Sequence, residues 1–409
     1  MANLYPGLSL DIKDTALGTF TSPNDGIAGL IVSDDLSQAT ENPVADGDEF
    51  TLNEYSDITG TGLDEMPFTA RQIELFYNEA GAGKKLIVKA VENYDSDATE
   101  ENTMNKICDK AHADAYLKNF IENNDGIIKF VGVCHNPSEN HTLNTTNGFD
   151  DTAFNALVKA DTYAQDARDA FYPFFVLIEG RAYQGVPGDL TDLTNSTYNH
   201  AGVVIGHSEE ADSSGTSDLS AAVGLVMGRI AAVSVEQKIS ATEDGSLAVT
   251  TMYVPDSSGN SQDVKQHDVE TISTVGYITF RSFIGQNGYY IADDPLANSS
   301  DFNNITNRRV MDKIIRISYD TYFNSLNSSV LIDEDGQLQT GVVKNLQEKI
   351  ETRVGTLMVA ENELSNFEAF VDPSQNVLST GQLDIKLKPT PVGYLKQIEL
   401  IIGFDNPQS

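Results

Sequence analysis

GIAGLIVS, residues 26–33, is a short apolar run closed by Gly and Asp, the form of a strand buried on both faces. Working outward, Thr69–Asn78 places Ile73, Phe76 and Tyr77 at helical spacing, and Lys85–Val91 (KLIVKAV) is again strand-like. Ala98–Asn123 reads as one long helix, with Ile107, Ala111, Ala115 and Ile121 near one face. Ile127–Val133 is a third strand, Asp151–Ala170 a third helix, and Phe174–Glu179 (FFVLIE) a fourth strand. Ala201–Gly206 is a fifth strand, and Ser217–Val233 a helix of small residues suited to close packing. Strands separated by helices of this length imply parallel pairing with right-handed crossovers. Residues 24–235 are therefore expected to form a doubly wound α/β domain.

Downstream the pattern changes. Residues 236–305 read as a β-rich connecting region, with turn sequences at 244–246 and 255–261 between β-type runs such as Leu247–Val254 and Gly276–Phe283. From 306 to 393 an α+β pattern follows. Thr306 can cap a helix whose apolar stripe runs through Val310, Ile314 and Ile317, and Thr340 a second through Val343, Leu346, Ile350 and Val354. Leu383–Lys388 alternates as a strand, Pro389 and Pro391 break it, and Tyr394–Phe404 is a second β-type run.

Composition narrows the function. The 409 residues carry 26 Lys and Arg against 61 Asp and Glu, a net charge of −35. That excludes binding to a nucleic-acid backbone, which needs cations for phosphates, and to an anionic membrane surface. Two cysteines build no disulfide framework, the N-terminal residues lack a basic and apolar leader pattern, and the apolar runs fall short of a membrane span. The expected class is a soluble multi-domain chain made in a cytoplasm.

No catalytic constellation, cofactor motif or metal-ligand set emerges. Gly81-Ala82-Gly83-Lys84-Lys85 lacks the leading Gly and closing Ser/Thr of a phosphate loop and runs from helix to strand; a glycine C-cap explains it. Cys134, His135 and His141 lie just past a strand end, where α/β sheets place ligands, yet adjacent residues on extended chain point opposite ways, so no Cys–His dyad is formed by sequence neighbours. An α/β enzyme with a site near Cys134–His135 stays as the alternative reading. Asp333-Glu334-Asp335-Gly336 departs from a calcium loop at Gln337 and Lys344, and reads as a turn.

Charge placement says more. No basic residue lies between Lys13 and Arg71, a stretch read as solvated acidic surface, whereas 306–353 holds as many basic as acidic residues. Arg309, Lys313 and Arg316 share one helical face, and Lys349 and Arg353 repeat the four-residue step. The choice is between pairing with the chain's own carboxylates and meeting an acidic partner. At the ends, Leu8, Leu10 and Ile12 alternate within 5–13, outside the α/β pattern, and Tyr394–Phe404 closes the chain. Such terminal segments are edge strands of the home sheet or arms that add to a neighbour's sheet, and head-to-tail addition builds rings or filaments.

YPGLSLDIKDT and NDGIAGLIVS near the start, RSFIGQNGYYIADDPLA at 281–297, NITNRRVMDKIIRISYDTYFN at 304–324, GVVKNLQEKIE at 341–351 and the closing PVGYLKQIELIIGFDNP resemble the tail sheath proteins of contractile phage tails, in particular the compact type of Mu-like prophages and contractile injection systems. The resemblance is most specific over 276–409. It implies a C-terminal α+β sheath core domain with extended N- and C-terminal β arms, at 1–23 and 394–409. It implies a non-enzymatic, cofactor-free subunit that stacks as hexameric rings around a tail tube, contacts a baseplate and a tail terminator, and contracts to drive the tube through a target envelope. Such a subunit belongs to a virion tail or tail-like particle assembled in a bacterial cytoplasm. Another self-assembling tail component is the remaining alternative. The implied inter-subunit arm residues are Leu8, Leu10, Ile12, Tyr394, Leu395, Ile398, Leu400 and Ile402, with Leu383–Lys388 in the receiving sheet. The tube-facing candidates are Arg309, Lys313, Arg316, Lys344, Lys349 and Arg353.

Overall fold

The structure is a computed structural model that describes all residues except 1–24, 95–101, 139–140, 209–219, 266–268, 302, 326–327, 335, 381, 397, 401 and 403–409. Its centre is a six-stranded sheet of β1 (Ala28–Asp34), β2 (Glu49–Leu52), β3 (Leu86–Glu92), β4 (Phe130–His135), β5 (Phe175–Glu179) and β6 (Ala201–Val204), in spatial order β2-β3-β1-β4-β5-β6. All neighbours pair in parallel except β2, which runs antiparallel to β3 at the edge. β1 to β6 apart from β2 are the apolar runs of the sequence, each buried along nearly its whole length. Beyond β6 the sheet gains one parallel bridge, Val204 to Ile278.

The sheet is covered on both faces. α1 (Pro67–Ala80) and α5 (Val223–Ala232) pack together on one side, while α2 (Thr103–Cys108), α3 (Tyr116–Asn123) and α4 (Asp151–Asp169) lie on the other. The small residues of α5 have a steric purpose. A Cβ at Gly224 would stand 2.0 Å from the carbonyl oxygen of Gln72, and one at Gly228 2.5 Å from that of Phe76. The two helix backbones therefore approach where no side chain fits. Gln72 adds a polar tie, donating to the Ala221 carbonyl and accepting from the Gly224 N–H.

Several sequence expectations change. The long helix over 98–123 is two helices among the described residues, because the chain breaks after Cys108: Asp109 accepts from the Ala111 N–H, and Ala115 takes a left-handed φ of 37°. The acidic stretch after Asp34 contains β2, whose outward residues include Glu49. β7 (Tyr253–Pro255) and β8 (Ser261–Asp263) form a small hairpin, followed by α6 (Glu270–Thr274) and the pair β9 (Phe280–Arg281) and β10 (Tyr290–Ile291).

The last quarter builds a separate apolar cluster from α7 (Ile305–Tyr322), α8 (Thr340–Val354) and β11 (Asn366–Val371), with Leu387 of β12 (Ile385–Thr390) packed on it, while Val377 of α9 (Val377–Thr380) packs on a smaller cluster around Leu338, Val343 and Val371. Asn304, rather than Thr306, caps α7 by accepting from the Asn307 N–H, while the Thr306 hydroxyl bonds Asp294. Gln339, rather than Thr340, is the residue before α8. β11 was not expected; β12 pairs antiparallel with it and includes Pro389. No described helix is long and apolar enough to cross a membrane.

The α1–α5 contact gives a direct test. Gly224→Val forces the helix backbones apart and should cost about 2 kcal/mol or more, read as a lower denaturation midpoint in urea.

Candidate assembly surfaces

The carboxyl edge of the main sheet holds the residues that the enzyme alternative would need. Cys134 is fully buried, and burial pushes its thiol well above the ordinary range. His135 follows it on β4 and points to the other face. The His135 N–H donates to Glu179 at 2.8 Å, and its Nδ1 lies 3.2 Å from the Ser33 hydroxyl. His141 bonds Asp150 at 2.9 Å. Glu179 accepts backbone N–H groups from both His135 and Ala221, tying β4, β5 and the approach to α5 together, and burial pushes its carboxyl up to about 7. Asp34 accepts from the Thr69 hydroxyl and the Asn136 amide. A cavity of about 270 Å³ lies at this edge between Phe68, Arg71, Asn136 and Ser208, with the Arg71 guanidinium on Glu74 and the Ser208 hydroxyl. The polar groups named here hold elements of the fold together, and the described residues include no group of three His, Cys, Asp or Glu placed to hold a metal ion. Burial, with the Glu179 carboxyl nearby, keeps the Cys134 thiol protonated, which is the opposite of what a nucleophile needs.

The opposite, amino edge docks α7. Arg309, Lys313 and Arg316 do share a face, as their spacing predicts, but that face is internal. Arg309 donates to the Ser234 and Val233 carbonyls at 2.9 and 3.0 Å. Lys313 sits between Asp25 at 2.6 Å and Glu363 at 2.7 Å. Arg316 donates to the Pro173 carbonyl. Next to them Arg308 pairs with Asp312 in the same buried seam. Burial lowers Arg309 to about 10; for Lys313 burial also acts downward, but Asp25 and Glu363 outweigh it and the ammonium stays above its ordinary value. Glu363 is pushed up to about 7, because burial outweighs Lys313. The expectation that these three cations present an outer surface is thus corrected: desolvated charges need partners, and the chain supplies them from its own sheet edge.

α8 differs. Lys344, Lys349 and Arg353 are exposed on its outer face. Lys349 bonds the Ser325 hydroxyl at 3.0 Å, and neither Lys344 nor Arg353 makes an ion pair among the described residues. Beneath α8, the β11–β12 ribbon has two unlike edges. On β11, the Ala369 N–H donates to Glu351 and its carbonyl accepts from Gln347, so side chains of α8 close that edge at its centre. Ala369 faces Leu387 across the ribbon. Since antiparallel pairs alternate, Ile385, Leu387 and Pro389 turn their main-chain groups to the outer edge of β12. Pro389 is tolerated within the strand for this reason: its missing N–H falls on the unpaired side. Burial is equally lopsided, with Phe367, Ala369 and Val371 of β11 buried and Ile385, Leu387 and Pro389 only half-buried.

After β12 the chain is pinned and then released. The Tyr394 hydroxyl donates to the Glu236 carbonyl at 2.6 Å, with the Lys238 ammonium 5.6 Å from its ring, and Lys396 pairs with Asp293 at 2.5 Å. Leu395, Ile398, Leu400 and Ile402 are between 70 and 91% exposed. The described residues of 394–402 form no strand. Leu8, Leu10 and Ile12 lie outside the described residues.

Comparison with known proteins identifies the family. A family model described as DUF2586, N-terminal domain, matches residues 5–295, and one described as DUF2586, C-terminal domain, matches 301–409. The chain belongs to the DUF2586 family. No curated protein matches it. Among solved structures it is similar to a chain of the anti-feeding prophage (AFP) baseplate, 6-fold symmetrised, at 14% identity and a TM-score of 0.58, over 99% of this chain and 100% of that one. It is similar to a chain of the AFP helical sheath in contracted state at 14% identity and a TM-score of 0.56, with the same coverage. The mixed α/β fold, from end to end, is one that contractile-sheath chains adopt.

The buried carboxyls make stability depend on pH. Glu179 and Glu363 have folded values near 7 against an ordinary 4.5, so the folded chain binds these protons more tightly than the unfolded one. The cost of holding them ionised is full above pH 7 and is relieved as pH falls toward 4.5. Denaturant stability should rise from about pH 8 to about pH 6, and Glu363→Gln should reduce that rise.

Proposed function

We propose that this DUF2586 chain is a contractile tail sheath subunit, a mechanical protein that polymerises as stacked hexameric rings around a tail tube and shortens to drive it. The observation that carries this reading is the end-to-end likeness in fold to a chain of a contracted helical sheath. The division of the chain into a 24–235 α/β domain, a 236–305 connecting region, a 306–393 α+β domain and two terminal arms is part of the proposal. So are a tail tube, baseplate and tail terminator as partners, and assembly in a bacterial cytoplasm.

Two features of the C-terminal domain support the assignment of arms. β12 offers an unpaired edge and a half-covered apolar face, while the described residues of 395–402 carry exposed apolar side chains and form no strand. Each supplies what the other lacks. The pin at Tyr394 and Lys396 holds the segment against the body, so the complement of β12 comes from another copy by strand addition, with main-chain hydrogen bonds giving the affinity. Leu4–Lys13 is proposed as the second arm from its alternation alone. Of the six tube-facing candidates, the exposed set Lys344, Lys349 and Arg353 is the one retained, since a contact with an acidic tube needs accessible charge. Such a contact is weak and salt-sensitive. It can break during contraction while strand pairing between copies holds.

Negative-stain electron microscopy of the purified chain should reveal hollow tubes or stacked six-fold rings. Removing 394–409 should abolish them while leaving the thermal unfolding of the main sheet domain in place. Polymers formed by the truncated chain would overturn the arm assignment, and small particles alone, with and without a tube protein, would overturn the sheath reading.

A further inference from the structure

A second surface bears on assembly. The loop between β9 and β10 carries Ile284, whose relative exposure of 106% is the highest of the large apolar side chains among the described residues. A single exposed apolar residue ordinarily needs no explanation. Here the setting is unusual because the tip is stiff. The Gln286 N–H donates to the Phe283 carbonyl at 3.2 Å and Gly285 has a φ of 79°, which makes Phe283–Gln286 a type II turn with Ile284 at its leading corner. The Phe283 ring stands edge-on to Tyr290 with centroids 5.2 Å apart, and the Arg281 guanidinium covers it at 4.2 Å. On the other side, Gly288 (φ 86°) is pressed against Ser246, where a Cβ would stand 2.4 Å away, and the Leu247 N–H donates to the Tyr289 carbonyl at 2.8 Å. The order of an isoleucine held bare in this way does nothing for the folded monomer.

Charge and position identify what meets it. From Ser282 to Ala292 no residue is charged, in a chain whose net charge is −35. Two copies of so acidic a chain repel, and contacts between them are cheapest where neither presents carboxylates. The loop also projects from the carboxyl edge of the sheet: Ile278 runs parallel to β6, and the chain continues through Phe280, packed on Gly206, beyond the strand ends. α7 is docked at the opposite edge, and Lys396 of the C-terminal segment reaches Asp293, two residues after β10.

We infer that the Ile284 turn is a contact between copies of this chain, in which the isoleucine is buried against a neighbouring subunit. The inference rests on the reading of the chain as self-assembling.

The test uses the full chain with Ile284→Cys. Cys108 and Cys134 are buried, so the new thiol is the one a maleimide reaches. Labelling should be at least about tenfold slower in polymer than in the unassembled chain below the critical concentration. Equal labelling in both would overturn the contact, as would protection that arises only when a tube protein is added. Ile284→Ser, which brings no charge, should raise the critical concentration about tenfold, equivalent to about 1.4 kcal/mol, with unchanged thermal unfolding, and Ile284→Val should restore most of it. An unchanged critical concentration for Ile284→Ser would also overturn the proposal. If the unaltered chain forms no polymer, alone or with a tube, the sheath reading fails and this contact with it.

Discussion

The seam between α7 and the amino edge of the main sheet is the contact on which the rest of the architecture depends. Three cations on one face of α7 are taken out of water, and each finds a partner fixed by a different part of the α/β domain: the end of α5, Asp25 on the approach to β1, and the approach to β5. A buried charge without its partner costs several kcal/mol, so shifting α7 by a turn would strand several such groups at once. Apolar packing would tolerate small slides more easily. The seam therefore acts chiefly as a register device. Once α7 is fixed, α8 and the β11–β12 ribbon are set relative to the sheet through their shared apolar cluster.

That use of cations has a consequence for the surface. Among the described residues six cations and seven carboxylates are buried, so the exterior keeps the acidic excess of a chain with 26 Lys and Arg against 61 Asp and Glu. The proposed association of identical acidic bodies would then rely on interactions indifferent to charge: main-chain hydrogen bonds at a sheet edge, and uncharged apolar contacts. At physiological salt, screening over about 8 Å removes most long-range repulsion, but charges brought into contact are still felt. The few exposed cations of α8 are in turn conspicuous, since Lys344, Lys349 and Arg353 stand on one short helix.

The α/β layer was legible from the sequence because its signal is local. Strands buried on both faces, such as Ala28–Asp34 and Phe175–Glu179, are continuous apolar runs, and the helices between them keep a clear period. The missed elements lack that signal. β2 has one buried residue among four and sits in an acidic stretch, so nothing in its pattern separates it from loop. β11 does alternate, with Phe367, Ala369 and Val371 inward, but over only six residues that follow a long helix. The break after Cys108 turns on an aspartate bonding its own backbone, a choice that helical periodicity does not register. For α7 the period located the charged face correctly and was silent on what the face meets. Periodicity specifies a direction, whereas a partner is a tertiary fact.

The C-terminal ribbon carries the same lesson one level further. Two antiparallel strands are marginal by themselves, and here one is closed by side chains of α8 while the other is left with an unpaired edge and a half-covered apolar face. Free edges are commonly blunted by lysine, proline, a bulge or a covering loop, and β12 carries Lys386, Lys388 and Pro389 but no covering element among the described residues. This chain places Pro389 there, which limits the edge to the N–H groups of Ile385 and Leu387, and pins the following segment at Tyr394. The proline narrows which registers an added strand can take. The pin, four residues after Thr390, leaves too little slack for a return along β12, because a hairpin needs its turn and strand to be free of the body. Under the proposed sheath assembly, the unpaired edge would be completed by an identical chain, which is the condition under which a heterologous contact propagates and does not close on a single subunit.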